Sequence, residues 1–155
     1  MTKIVKIGVV IALLVIIAIT IVITYLGRDL SYTVALLINW GIKLPTNYEV
    51  IYRIDPGQTP FGDGFRYSIL YYEKGVSEPF LDDFSSQQDL ELEQGVEEIL
   101  NHLSIDKENA IDFSQPYLWK SDTFIPSERE GIVTKAIFLI FQPSTNYLYV
   151  VHFKI

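Results

Sequence analysis

Ile7 to Leu26 is a run of twenty residues without a charge, IGVVIALLVIIAITIVITYL, interrupted only by Thr20, Thr24 and Tyr25. As an α-helix, at about 1.5 Å per residue, it spans roughly 30 Å, the thickness of a bilayer's hydrocarbon core. The run therefore predicts a transmembrane anchor and leaves the rest of the chain to form a separate globular part. A cleaved signal peptide has a shorter apolar region, roughly 7–15 residues, and ends in a small-residue cleavage site. Tyr25-Leu-Gly-Arg-Asp29 offers no such site. The many Ile and Val residues lower helix propensity in water, but in lipid each backbone group must be hydrogen-bonded within the segment, and a helix does this.

Orientation follows the Lys/Arg bias of the flanks. Lys3 and Lys6 precede the run, whereas Arg28 alone follows it closely, beside Asp29. The expected arrangement is a single-pass protein of the cell membrane with a cytoplasmic N-terminus. In it, residues 1–28 form a tip and signal anchor, 29–46 a juxtamembrane helix and linker, and 47–155 an extracytoplasmic α+β domain. Leu30 to Ile42 (LSYTVALLINWGI) is apolar but, at thirteen residues, too short to span. Asp29 or Ser31 can cap a helix there and Gly41 can end it. The readings left open are a helix lying on the membrane surface, a continuation of the anchor, and a membrane hairpin that would reverse the orientation.

All nineteen acidic residues follow the run, with ten of the twelve basic ones, so the outer part carries −9. That excess argues against nucleic acid as a partner and against docking on anionic headgroups. About 125 residues are enough for one domain with a core. Cysteine is absent, which removes disulfides, thiolate metal sites and thiol nucleophiles together. None of Asn39, Asn47, Asn101, Asn109 and Asn146 stands in a glycosylation sequon. Both absences fit a bacterial envelope protein.

Tyr48 to Ile54 and Phe65 to Tyr72 have strand chemistry and predict an antiparallel hairpin across a loop dense in turn residues, Asp55 to Gly64. In the first strand, alternation puts Val50, Tyr52 and Ile54 on one face; in the second, it groups Phe65, Tyr67, Ile69 and Tyr71. Ser77 to Phe80 can start a helical turn. From about Gln88 to Leu103, Leu92, Val96, Ile99, Leu100 and Leu103 form one helical stripe, with Glu91, Glu93, Glu97 and Glu98 on the remainder. Gly95 costs that helix about 1 kcal/mol relative to alanine. Ser104 to Ser114 reads as a polar connector, Tyr117 to Trp119 as a short strand and Ser121 to Gly131 as a loop. Ile132 to Phe141, the most apolar segment, reads as the central strand, and Tyr147 to Ile155 as its returning partner. There Tyr147, Tyr149, Val151, Phe153 and Ile155 form the expected core face, opposite Leu148, Val150, His152 and Lys154. The whole predicts a mainly antiparallel four- or five-stranded sheet with one main amphipathic helix packed on it.

No motif for a cofactor, metal or nucleophile stands out, and none is expected. A calcium loop starting at Asp55 would need an oxygen ligand at its third position and glycine at its sixth, where Gly57 and Pro60 stand. His102 falls in the last helical turn, where a cation meets the dipole favourably, and His152 in the last strand. Neither has a serine in a nucleophile-elbow context. The acidic helix face and the strand tyrosines remain as candidate partner-binding residues: Tyr52, Tyr67, Tyr71, Glu91, Glu93 and Glu97. Their competing readings are a solvated surface for the carboxylates and ordinary core packing for the rings.

Three features together carry a resemblance: a short basic N-terminus with one anchor, the Gly62-Asp63-Gly64 turn leading into an aromatic strand, and the hairpin ending in YLYVVHFKI. The chain resembles a loose group of small single-pass membrane-anchored proteins of unknown function from Gram-positive bacteria. That group has no assigned activity, so the resemblance implies no functional residue. The expectation is a non-enzymatic, membrane-anchored protein-binding module, for example an immunity-type inhibitor of a toxin. The alternatives are a cell-envelope enzyme or an accessory subunit of a membrane complex.

Overall fold

The computed structural model describes residues 13–21, 32–55, 64–124 and 134–154. The chain divides into two compact units, Met1–Leu44 and Pro45–Ile155.

In the first unit, residues 13–21 and 32–40 are helical. The large apolar side chains from Leu13 to Ile21 are 49–63% exposed, and Thr20 returns its hydroxyl proton to the carbonyl of Ile16 at 2.9 Å. That local bond satisfies the one polar side chain of the stretch within the helix itself. Among the described residues no helix is long and apolar enough to cross a membrane. The ends of the expected anchor, 7–12 and 22–26, lie outside the described residues. Gly41, at φ 66°, closes the second helical stretch and donates its N–H to Leu37 C=O at 2.9 Å. The left-handed conformation that ends a helix this way suits a residue without a Cβ.

The second unit is an α+β domain built on a five-stranded antiparallel sheet. Its strands are β1 (Glu49–Ile54), β2 (Gly64–Tyr71), β3 (Leu118–Phe124), β4 (Lys135–Gln142) and β5 (Tyr147–Lys154), in the spatial order β1-β2-β5-β4-β3. A four-residue helix α1 (Glu78–Leu81) and the main helix α2 (Leu90–His102) separate β2 from β3. Asp89 caps α2, its Oδ1 accepting from the N–H groups of Glu91 and Leu92 at 3.0 Å. The buried stripe of α2 is Leu92, Val96, Ile99 and Leu100, as its spacing predicts. It packs on Tyr67 and Ile69 of β2, Ile140 of β4, and Tyr149 and Val151 of β5.

Three strand expectations need correction. The register shifts between Val50 and Tyr52, so Val50 pairs with Leu70 while Tyr52 pairs with Ile69. Neighbouring residues of β2 face opposite ways, so this bulge puts Val50 and Tyr52 on opposite faces, which strict alternation cannot do. The third strand runs on through Ser121 to Phe124, because Ser121, Asp122 and Thr123 pair with Phe138, Ile137 and Ala136. Their polarity follows from an edge position, not from a loop. The centre of the sheet is β5, which pairs with β2 on one side and β4 on the other. Both faces of β5 are buried at Leu148, Tyr149, Val150 and Val151, so its core is not confined to the tyrosine face.

The segment after α2 is also more than a polar connector. Ile105, Ala110, Ile111 and Phe113 join the core around a 3-10 turn at Lys107–Asn109.

Candidate functional site

The tyrosines of the sheet are mostly spent on the core. Tyr67 is fully buried, stacks on Tyr149 with ring centroids 6.4 Å apart, and donates its hydroxyl proton to Asn109 C=O at 2.7 Å. Burial, followed by the neighbouring Tyr149 and Tyr52 phenols, raises its pKa well above the usual tyrosine range. A ring enclosed in this way offers no surface to a partner, which removes Tyr67 from the candidate binding face. Tyr52 is half-buried edge-on against Tyr67, and Tyr71 is half-buried edge-on against Tyr147. Tyr52 packs with Tyr67 against the core beneath α2, and Tyr71 joins that cluster only through Tyr147, so the rings are packing and not one exposed platform.

The carboxylates divide differently. Glu91, Glu97 and Glu98 are exposed on α2. Glu93 is half-buried and accepts the Tyr117 hydroxyl proton at 2.6 Å, while that same hydroxyl oxygen accepts the Asp89 N–H at 3.3 Å. Burial, then the bond to Glu93, raises the Tyr117 phenol above its ordinary value. Glu93 and Tyr117 thus tie the first turn of α2 to the segment that enters β3, and the exposed acidic face begins beside that tie.

Two shallow grooves meet at the same place. One, of about 350 Å³, is lined by Ser86, Gln88, Gln115, Tyr117 and Pro143 among others. The other, of about 440 Å³, is lined by Ser85, Gln87, Gln88, Asp89, Leu90 and Trp119. Their position follows from an isolated bridge, in which Ser85 and Trp119 exchange backbone hydrogen bonds at 2.7 and 2.9 Å. The indole N–H of Trp119 donates to Gln87 C=O at 2.7 Å, which fixes the ring between the two segments. The lining of the first groove is mainly apolar, with Leu118, Pro116 and Pro143, whereas that of the second is mainly polar, and the hydroxyls and carboxamides present in both can donate and accept. No cluster suited to a metal ion occurs among the described residues.

A second polar group interrupts the face of the sheet away from α2. Register places Arg53 opposite Ser68 and Arg66 opposite His152. Arg66 Nε lies 3.0 Å from Asp55 Oδ1. Burial, then the charge of Arg66, pushes the His152 pKa down to about 4, with Asp55 opposing. The imidazole is therefore neutral through the physiological range. Register also puts Lys120, Lys135 and Lys154 on this face, whereas the exposed helix on the other side is acidic. That segregation depends on strand pairing and was not visible in composition. The grooves were missed for the same reason: Ser85 and Trp119 are separated in sequence, and no periodicity marks a one-residue bridge. No protein-family model, curated protein or solved structure matches this chain.

Proposed function

We propose that the protein is a membrane-anchored, extracytoplasmic binding module without enzymatic activity. In this reading the run Ile7–Leu26 holds it in the cell membrane with its N-terminus inside, and the domain 45–155 takes a basic protein segment. The observation that carries the reading is the exposed acidic face of α2, with Glu91 and Glu97, starting beside the grooves around Trp119. Carboxylates steer a cationic partner, and a fixed indole beside carboxamides can supply the short-range contacts that hold it. An immunity-type role, in which the domain neutralises a toxin acting at the membrane or wall, is the concrete form of this proposal.

The test has two steps on intact cells. Protease shaving of a C-terminally tagged chain should remove the tag while the cell stays sealed. A photo-crosslinker in place of Gln87 or Gln115 should then trap one discrete partner, and Glu91→Lys with Glu97→Lys should abolish the adduct without unfolding the domain. A tag cleaved only after lysis would refute the location. An adduct that the charge reversal leaves intact would refute the acidic docking face.

A further inference from the structure

Residues 32–40 form a helical stretch whose two sides differ sharply. Val34, Leu37 and Ile38 are 42%, 47% and 77% exposed, whereas Leu36 is 1% exposed. Positions 34, 37 and 38 stand at i, i+3 and i+4, so they form one stripe along the helix. Large aliphatic side chains at such exposure, side by side, need a covering partner.

Two observations identify that partner. The stripe follows the run Ile7–Leu26 in the chain after only seven residues, and the large apolar side chains of the described part of that run are all exposed. No charged residue lies between Asp29 and Lys43. A second copy of the chain would also cover an apolar stripe, but it would not call for an uncharged flank on the whole segment from Leu30 to Ile42.

We infer that Val34, Leu37 and Ile38 are a lipid-contacting stripe that lies in the headgroup–acyl boundary of the bilayer that holds the anchor. This rests on the anchor reading above and extends it: the membrane contact then includes a helix lying in the interface as well as a span. The affinity comes from apolar burial, since the flanking cations are Arg28, offset by the adjacent Asp29, and Lys43, and the outer domain is acidic, so zwitterionic lipid suffices.

The chain has no cysteine, so single introduced thiols report unambiguously. The full chain is reconstituted in phosphatidylcholine vesicles with an environment-sensitive fluorophore at Ile38→Cys, Val34→Cys, Ile17→Cys or Gln94→Cys. Quenchers are lipids spin-labelled either near the headgroup or deep in the acyl chain. The inference expects blue-shifted emission at 38 and 34, quenched most by the shallow label. It expects deep quenching at 17 and neither effect at 94. Deep quenching at 17 together with water-like emission at 38 and 34 would overturn the stripe and leave the anchor standing. Blue-shifted emission at 38 that no lipid label quenches would assign the stripe to a second copy or another protein. Loss of lipid quenching at 17 would refute the anchor itself, and the stripe with it.

Discussion

His152 offers a direct physical test of the domain's second sheet face. Its imidazole is buried opposite Arg66 in the central strand, and its pKa is pushed down to about 4 from an ordinary 6.5. The folded-state pKa lies below the unfolded one, so the stabilisation is complete above pH 6.5 and is lost as pH falls toward 4. Taken over that whole window, a fall from 6.5 to about 4 corresponds to about 3 kcal/mol. Most of this, about 2.5 kcal/mol, is already gone at pH 4.5. With a urea dependence typical of small domains, that is a drop of about 1–2 M in midpoint. The assay is urea unfolding of the full chain in detergent at pH 7 and pH 4.5, for the wild type and for His152→Leu. Carboxylates also titrate in this range, so the difference between the two proteins is what isolates the imidazole. The variant has a different baseline, but it should lose about 2.5 kcal/mol less than the wild type between the two pH values. Equal losses in the two proteins would refute the reasoning, because the imidazole would then not be held neutral by its burial.

Four substitutions test the rest of the packing by chemical denaturation. Gly95→Ala should stabilise the domain by about 1 kcal/mol, because a Cβ there meets nothing within 4 Å and the helix gains propensity; a loss would mean that α2 is packed more tightly at that point. Asp89→Ala should cost about 1 kcal/mol by removing both cap bonds, with Asp89→Asn recovering much of it. Tyr67→Phe should cost about 1 kcal/mol, since it removes the part-buried hydrogen bond to the carbonyl of Asn109. Ser68→Ala should be neutral or stabilising by about 1 kcal/mol, since its buried hydroxyl has no hydrogen-bond partner among the described residues; destabilisation by more than that would reveal one.

The elements that sequence periodicity located are those whose pattern is local. Leu92, Val96, Ile99 and Leu100 mark α2 because a helix repeats its face within the segment itself. Phe65, Tyr67 and Ile69 share a face for the same reason in β2. What escaped depends on pairing partners distant in the chain. The bulge at Val50 and Tyr52 is set by register against β2, and the polar residues Ser121 to Thr123 are strand only because β4 lies beside them. The most apolar segment looked central because burial on two faces makes a strand apolar throughout. In fact β4 and β5 are both covered on two faces, and only topology separates them. As to the site, the exposed carboxylates Glu91 and Glu97 were legible from the helical pattern. The enclosed Tyr67 was not, because β propensity favours tyrosine in a core and on a surface alike.

The place of β5 has a kinetic consequence. It follows the other four strands in the chain yet lies between β2 and β4, so its pairing with β2 joins residues about eighty positions apart, as Tyr67 and Val151 show. Until it is synthesised, the β1–β2 hairpin and the β3–β4 pair are separate ladders, each with an apolar edge that the final sheet conceals. At roughly 5–20 residues per second, translation leaves β2 without its neighbour for about 4–16 s. Such a chain has high contact order and cannot close its sheet strand by strand as it emerges. During that interval the edges of β2 and β4 that β5 later covers are the surfaces a holding chaperone would shield.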